Sequence, residues 1–307
     1  MLKGRKRMTA AVVASTGVVA AGAGAVAYAQ HEPETRTVET VSSVEISTAD
    51  ATATERYWTP QRLAKATPVA AKGGASGQAT TLAARSKAFG GVPSIGALFF
   101  NNGRGDHYCT ASVVKSHSKR LLMTAAHCIH GGKGGRYATK IAFVPKYDRG
   151  KRPYGTWTAK RLVVTQRWIR HGDPDLDFGI IALNPRAGKK IENVVGGNSL
   201  AINRGAGRKV NVAGYPRIVW DRRDRPIYCI TTTRKHSRFQ LRMDCSGFHG
   251  GTSGSPWLLN YNTRTRTGAI NGVIGGHQGG GNVHYISYSP YFDKDVYNLR
   301  SWADKRA

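Results

Sequence analysis

Three short stretches carry side chains that could make and break bonds together. "LLMTAAHC" sets His127 at the end of an apolar run, "DPDLDFGIIAL" sets Asp177 just ahead of another, and "GTSGSPW" sets Ser253 and Ser255 in a glycine-rich turn. A serine hydroxyl is a weak nucleophile until a base takes its proton, and an imidazole does this best when a carboxylate orients it. The order is histidine, then aspartate 50 residues on, then serine 76 residues further. Each piece alone says little, since a strand-end histidine is commonly structural and serines two apart fit an ordinary turn. Asp177 says more, because a carboxylate beside so apolar a strand is partly buried and needs a hydrogen-bonded partner. The neighbouring Asp173 and Asp175, with His171, read as a polar loop rather than a metal site.

The elements that must position these groups are short strands. "SIGALFF", "CTASVV", "LLMTAA", "KIAFVP", "RLVVT" and "FGIIAL" are followed, after a loop near 184–197, by "KVNVAGYP", "PIYCITTT", "QLRMDC", "PWLLN", "GAINGVIGG" and "VHYISYS". Runs of five or six residues bounded by Gly, Pro, Asn and Asp predict an all-β sandwich or barrel arrangement in two comparable sets. Only the C-terminus reads as helical: Phe292, Val296, Leu299 and Trp302 recur at helical spacing after Ser289 and Pro290, a suitable N-cap and first-turn proline.

The N-terminus reads as an export signal. Lys3, Arg5, Lys6 and Arg7 precede an Ala, Val and Gly stretch ending in Ala27 and Ala29. That is the basic, apolar and small-residue order of a cleavable signal peptide over residues 1–29. The apolar run is short and weakly hydrophobic for a membrane anchor. Without a twin arginine it points to general secretion. Residues 30–86 are rich in Thr, Ala, Ser, Val and Glu, and are read as a largely disordered propeptide. Residues 87–307 form the globular region, with 36 Lys and Arg against 12 Asp and Glu, a net +24. Such a surface attracts anionic polymers or acidic substrates. All four cysteines lie there, which in a secreted chain reads as two disulfides. Three pairings are open; the local pairs Cys109–Cys128 and Cys229–Cys245 would each tie neighbouring strands.

Taken together, "TAAHC", "DFGIIAL" and "GTSGSP" resemble the three motifs of the chymotrypsin-like, trypsin-fold serine proteases, over roughly residues 92–303. The resemblance implies two six-stranded antiparallel β-barrels with the active site between them. Barrel 1 falls at about 90–187, barrel 2 at about 196–289 and a C-terminal helix at about 290–303. It implies His127 as base, Asp177 as its orienting acid and Ser253, not Ser255, as nucleophile. The backbone amides of Gly251 and Ser253 are the implied oxyanion donors, and no cofactor or metal is called for. The implied activity is that of a secreted serine endopeptidase, monomeric, acting on protein or peptide substrates without a membrane span in its mature form.

Two departures from the digestive enzymes matter. Thr252 precedes the nucleophile where trypsin-like zymogens carry an Asp, so the usual N-terminal ion-pair switch is missing. The stretch "VIGGHQGGG" is similar to the matching strand of the V8-like glutamyl endopeptidases, whose pocket histidine falls on His277. An imidazole there could bind a substrate carboxylate at P1. Gly279 and Gly280 would sit beside the substrate strand, and His249 could join the pocket. The globular region holds one glutamate, Glu192, whereas five fall in residues 30–86; a Glu-cleaving enzyme would shed its own sites while its propeptide stayed cuttable. Two other readings stay open: a protease of small or apolar P1 specificity, and a basic module binding anionic polymers on a protease fold. The runs "RGKRPYGTW" and "WDRRDRPIY" mix charge and rings, which allows weak binding to anionic surfaces but no specific nucleic-acid site.

Overall fold

The computed structural model describes residues 40–69, 84–217 and 224–307, all within the unit Val38–Ala307. The expected signal peptide, and parts of the expected propeptide, lie outside the described residues.

Residues 40–69 correct the expectation of disorder. They form β1 (Val41–Glu45), α1 (Thr48–Tyr57), α2 (Pro60–Lys65) and β2 (Thr67–Pro68). Local signals are present: Ser47 caps α1 by accepting from Asp50 N, and Thr59 caps α2 ahead of Pro60. The anchors are Trp58 and Leu63, both buried in a core cluster with Phe99, Tyr108 and Tyr147. Composition misjudged the segment because it counts what a stretch can bury against itself. These few large side chains are buried against a surface that the rest of the chain supplies.

After β3 (Ala84–Arg85) and β4 (Lys87–Ala88) comes the first barrel. Its strands are β5 (Ile95–Asn101), β6 (Asp106–Val114), β7 (Leu121–Thr124), β8 (Thr139–Pro145), β9 (Trp157–Thr165) and, beyond helix α3 (Gln166–His171), β10 (Gly179–Leu183). Pairing runs β5–β6–β7–β10–β9–β8 and returns from β8 to β5, so the barrel is closed. The N-terminal segment adds to it, with β1 antiparallel on β9 and β2 parallel on β6. Both strand faces are covered. Leu98, Phe100, Leu122 and Ile181 pack in one cluster, whereas Phe99, Met123 and Ile180 pack in another with Trp58, Leu63 and the C-terminal helix. That two-sided burial is why these strands read as unbroken apolar runs.

A short helix, α4 (Ile191–Val195), and β11 (Ser199–Leu200) lead to the second set. It comprises β12 (Lys209–Gly214), β13 (Ile227–Thr232), β14 (Arg234–Ser237), β15 (Gln240–Ser246), β16 (Pro256–Asn262), β17 (Thr267–Val273) and β18 (Ile286–Pro290). These strands pair in two sheets, β11–β17–β16–β12–β13–β4 and β14–β15–β18. The disulfide Cys229–Cys245 joins β13 of one to β15 of the other, and Cys109–Cys128 ties β6 to the turn after β7. The chain ends in α5 (Lys294–Asp304). Its start differs from the sequence expectation. Ser289 and Pro290 belong to β18, where Ser289 Oγ accepts from Val273 N at 2.9 Å, and Asp293 is the N-cap. Nor is α5 the sole helix, since α1 to α4 precede it. No helix among the described residues is long and apolar enough to cross a membrane.

Candidate active site

β7 ends in the one-turn helix Ala126–Cys128, which turns His127 out of the strand while Cys128 is held to β6. Asp177 follows a second such turn, Pro174–Leu176, capped by Asp173. The two residues meet. His127 Nδ1 lies 2.7 Å from Asp177 Oδ2, and the His127 backbone N–H donates to Asp177 Oδ1 at 2.9 Å. Gly276 N–H donates to Oδ2 at 2.8 Å, so the buried carboxylate has three donors and both its oxygens accept. A carboxylate only accepts, so His127 Nδ1 carries the proton and Nε2 is the basic nitrogen. Nε2 is buried and bonded to no other group among the described residues.

Ser253 lies in the turn between β15 and β16, 5 % exposed. Its carbonyl accepts from Thr110 N at 2.8 Å, and Gly254 N–H donates to Ile274 O at 2.7 Å. Thr110 is next to Cys109, so adjacent residues of β6 hold the His127 turn through the disulfide and the Ser253 turn through a hydrogen bond. Gly251, two residues before Ser253, has φ +95°, and its carbonyl accepts from Thr110 Oγ1 at 3.1 Å. Neither the Gly251 nor the Ser253 N–H donates to a backbone carbonyl among the described residues. Thr252 is fully buried, and its hydroxyl donates to His249 O at 2.8 Å. The position that carries Asp in trypsin-like zymogens is therefore satisfied inside its own turn. Ser255 is also buried, packed against Gly214, where a Cβ would meet its Oγ at 2.1 Å.

His277 opens the turn His277–Gly279 directly after Gly276. Its ring centroid lies 4.6 Å from His236 of β14 and 4.8 Å from Tyr288 of β18, and His236 lies 4.5 Å from Tyr288. Burial, then the positive fields of His277 and Arg242, lower the His236 pKa. Gln240 sets this turn: its Oε1 accepts from His277 N at 3.1 Å while its Nε2 donates to Asp175 Oδ1 at 2.7 Å. Asp175 is thus engaged with Gln240, and Asp173 with Arg167 at 2.5 Å. Gly279 ends this turn and Gly280 caps it. Their N–H groups close the turn on Gly276 O at 2.9 Å and His277 O at 3.0 Å, and Gly280 O accepts from Tyr288 N. His249 stacks on His284 with centroids 4.6 Å apart. The cluster Cys109, His127 and Cys128 has metal-like spacing, but both sulfurs are spent in the disulfide.

A cavity of about 440 Å³ opens beside His127, lined by Arg104, Lys133 and Arg136 with glycines of the 131–135 loop. None of these three cations forms an ion pair among the described residues, and no acid lines the cavity. Sequence reasoning missed Gln240 and His236. Each sits in a strand whose local pattern says nothing of what it faces.

A closed six-stranded barrel, a second β set and a His–Asp pair beside a serine turn where the two meet define the chymotrypsin-like fold of serine proteases. Residues 83–302 match the family Trypsin, more than half of the chain, and the chain belongs to that family. It is similar to the protease Anisep from Arthrobacter nicotinovorans, with 28 % identity and TM-score 0.65, covering 72 % of this chain and 99 % of the other. It is equally similar to a thermostable serine protease, AL20, from an extremophilic microorganism, with 28 % identity, TM-score 0.64 and coverage of 70 % and 98 %. A Glu endopeptidase shares the fold at 17 % identity and TM-score 0.57, with coverage of 72 % and 97 %. No curated protein matches.

Proposed function

We propose that the protein is a secreted serine endopeptidase acting through His127, Asp177 and Ser253, with preference for Glu at P1. The observation that carries this reading is the double link from His127 to Asp177, with Nε2 of the same ring left unbonded. In the proposed reaction Nε2 takes the Ser253 proton as Oγ attacks the scissile carbonyl. Asp177 stabilises the imidazolium, and the Gly251 and Ser253 N–H groups receive the developing oxyanion. His127 then gives the proton to the leaving amine, and water repeats the sequence on the acyl-enzyme.

The finer claim rests on His277. With His236 and Tyr288 it makes a cluster of three donor-bearing rings one residue from the amide that holds Asp177. Such donors suit a carboxylate side chain and give nothing to an apolar one. Arg104, Lys133 and Arg136, which line the cavity beside His127, favour acidic residues in whatever part of the substrate lies there.

Residues 1–29 are proposed as signal peptide and the segment to about residue 86 as propeptide. Since Trp58 and Leu63 lie in the core, a cut near residue 86 would not by itself release residues 40–69.

The test is cleavage-site mapping by mass spectrometry on a proteome-derived peptide mixture, with wild type, Ser253→Ala and His277→Ala. Cuts after Glu that vanish in the serine variant and spread to other residues in His277→Ala support both claims. Cuts after small or basic residues keep the endopeptidase and remove the acidic pocket. Absence of cutting by wild type would shift the reading to an anionic-polymer-binding module.

A further inference from the structure

We infer that Arg217 is a positioning residue for the oxyanion turn, held in place by the N-terminal segment 40–69. The inference rests on the proposed endopeptidase reading but concerns residues outside the triad, and the N-terminal segment that completes the clamp lies before the family match begins at residue 83.

Arg217 is 1 % exposed, a rare state for a guanidinium. Its Nε donates to Asp224 Oδ1 at 3.2 Å, one terminal nitrogen donates to Ala64 O of α2 at 3.4 Å, and the other terminal nitrogen has no partner among the described residues. The remaining solvation is replaced by ring faces: the guanidinium carbon lies 4.7 Å from the Tyr108 centroid, 5.3 Å from Phe99 and 5.6 Å from Tyr147. A buried cation with an unpaired N–H group is a costly arrangement that simple stability does not favour, because an apolar side chain of similar volume would do as well or better.

What the charge contacts suggests its use. Tyr108 lies between Arg217 and Gly251. A Cβ on Gly251 would stand 1.9 Å from Tyr108 Cε2, so the ring is in direct contact with the glycine whose N–H is the proposed oxyanion donor. The Tyr108 hydroxyl donates at 3.0 Å to the carbonyl of Pro216, the residue before Arg217. The ring is therefore held against Gly251 by Pro216 at its hydroxyl and by Arg217 on its face, both in the segment after β12. The outer wall of this chamber is the N-terminal segment. Ala64 supplies the carbonyl, Trp58 packs on Phe99 with centroids 5.5 Å apart, and β2 pairs with β6 at His107 and Tyr108. One contiguous path runs from Ala64 O through Arg217 and Tyr108 to Gly251.

The experiment compares wild type, Arg217→Met, Arg217→Lys, Tyr108→Phe and Leu63→Ala in the full chain as secreted. It uses one peptide substrate and the matching peptide aldehyde, whose adduct with a serine places an oxyanion in the same site. A displaced donor acts on the transition state and spares ground-state binding. Expected for Arg217→Met is a kcat reduced roughly 10- to 100-fold with KM within about twofold, and an aldehyde Ki raised by the same factor as kcat falls. Arg217→Lys keeps the charge on the rings and recovers part of the loss. Tyr108→Phe and Leu63→Ala move kcat and Ki together in the same direction, each by a smaller factor. Should Arg217→Met fail to fold, these two milder variants decide the matter. Unchanged kcat in the folded variants, or a kcat change with an unmoved Ki, would overturn the inference while leaving the endopeptidase intact. An inactive wild type would instead count against the proposed function.

Discussion

Asp177 holds His127 by two bonds to one residue, ring Nδ1 at 2.7 Å and backbone N–H at 2.9 Å. The second bond fixes where the ring is attached, and the first fixes which nitrogen bears the proton. Asp177→Asn keeps an acceptor for the backbone but offers an amide N–H to the ring, which forces the wrong tautomer. The expected outcome is a fall in kcat of roughly 10⁴-fold with an unchanged melting temperature, read by steady-state kinetics and calorimetry.

Gly251 admits no side chain. Its φ of +95° disfavours any other residue, and a Cβ would collide with Tyr108. Gly251→Ala should displace the N–H proposed as oxyanion donor and lower kcat by roughly 100- to 1000-fold. Peptide affinity of the Ser253→Ala background should change little, which isothermal titration of the double variant would check.

Trp58 makes the N-terminal segment part of the core. Trp58→Ala removes a ring that is 1 % exposed, packs on Phe99 and donates to Lys140 O at 2.6 Å. Urea unfolding should show a loss of about 3–5 kcal/mol. A loss near zero would mean the segment is not bound in solution.

Acid should loosen that segment first. Asp106 of β6 is hydrogen-bonded to Tyr57, Asn101 and Arg62; burial raises its pKa, but these bonds outweigh burial and hold it below the ordinary 3.8. A carboxylate depressed in the folded state stabilises above its unfolded pKa and loses that contribution as pH falls through the folded value. Hydrogen exchange over residues 48–65 should therefore quicken below about pH 4 before the barrels respond, and Asp106→Asn should abolish that pH step.

The Cys229–Cys245 bridge is the covalent link between β13 and β15, strands that do not pair with each other. Opening its loop, with a sequence separation of 16, should cost about 3 kcal/mol. The double Cys→Ser variant should melt lower than wild type and lose its sensitivity to added reductant at this site.

Much of this was legible before any coordinates. The strand runs of the first barrel were visible because both faces are buried, which leaves no polar alternation to confuse them. The local disulfide pairs were readable because their cysteines lie only 19 and 16 residues apart, although neither bridge joins two paired strands. Helix α5 was readable by period, though its start was misplaced: Ser289 serves β18, and the capping role passes to Asp293. Residues 40–69 were misread for a physical reason, since a segment poor in apolar residues can still be ordered when Trp58 and Leu63 find a ready-made surface.

The sequence by itself determined the chemical types and their order, His127, Asp177 and Ser253, and the strands that carry them, because strand pattern and turn chemistry are local. Only the tertiary structure decided that Gln240 orients the His277 turn, that His236 stands beside His277, and that Arg217 is buried over Tyr108, whose ring lies against Gly251. Those relations join residues from 37 to 143 positions apart or depend on which face a strand presents to a distant neighbour. Burial, and with it the meaning of a charge, is set by what packs on a residue, and no local stretch of sequence contains its own cover.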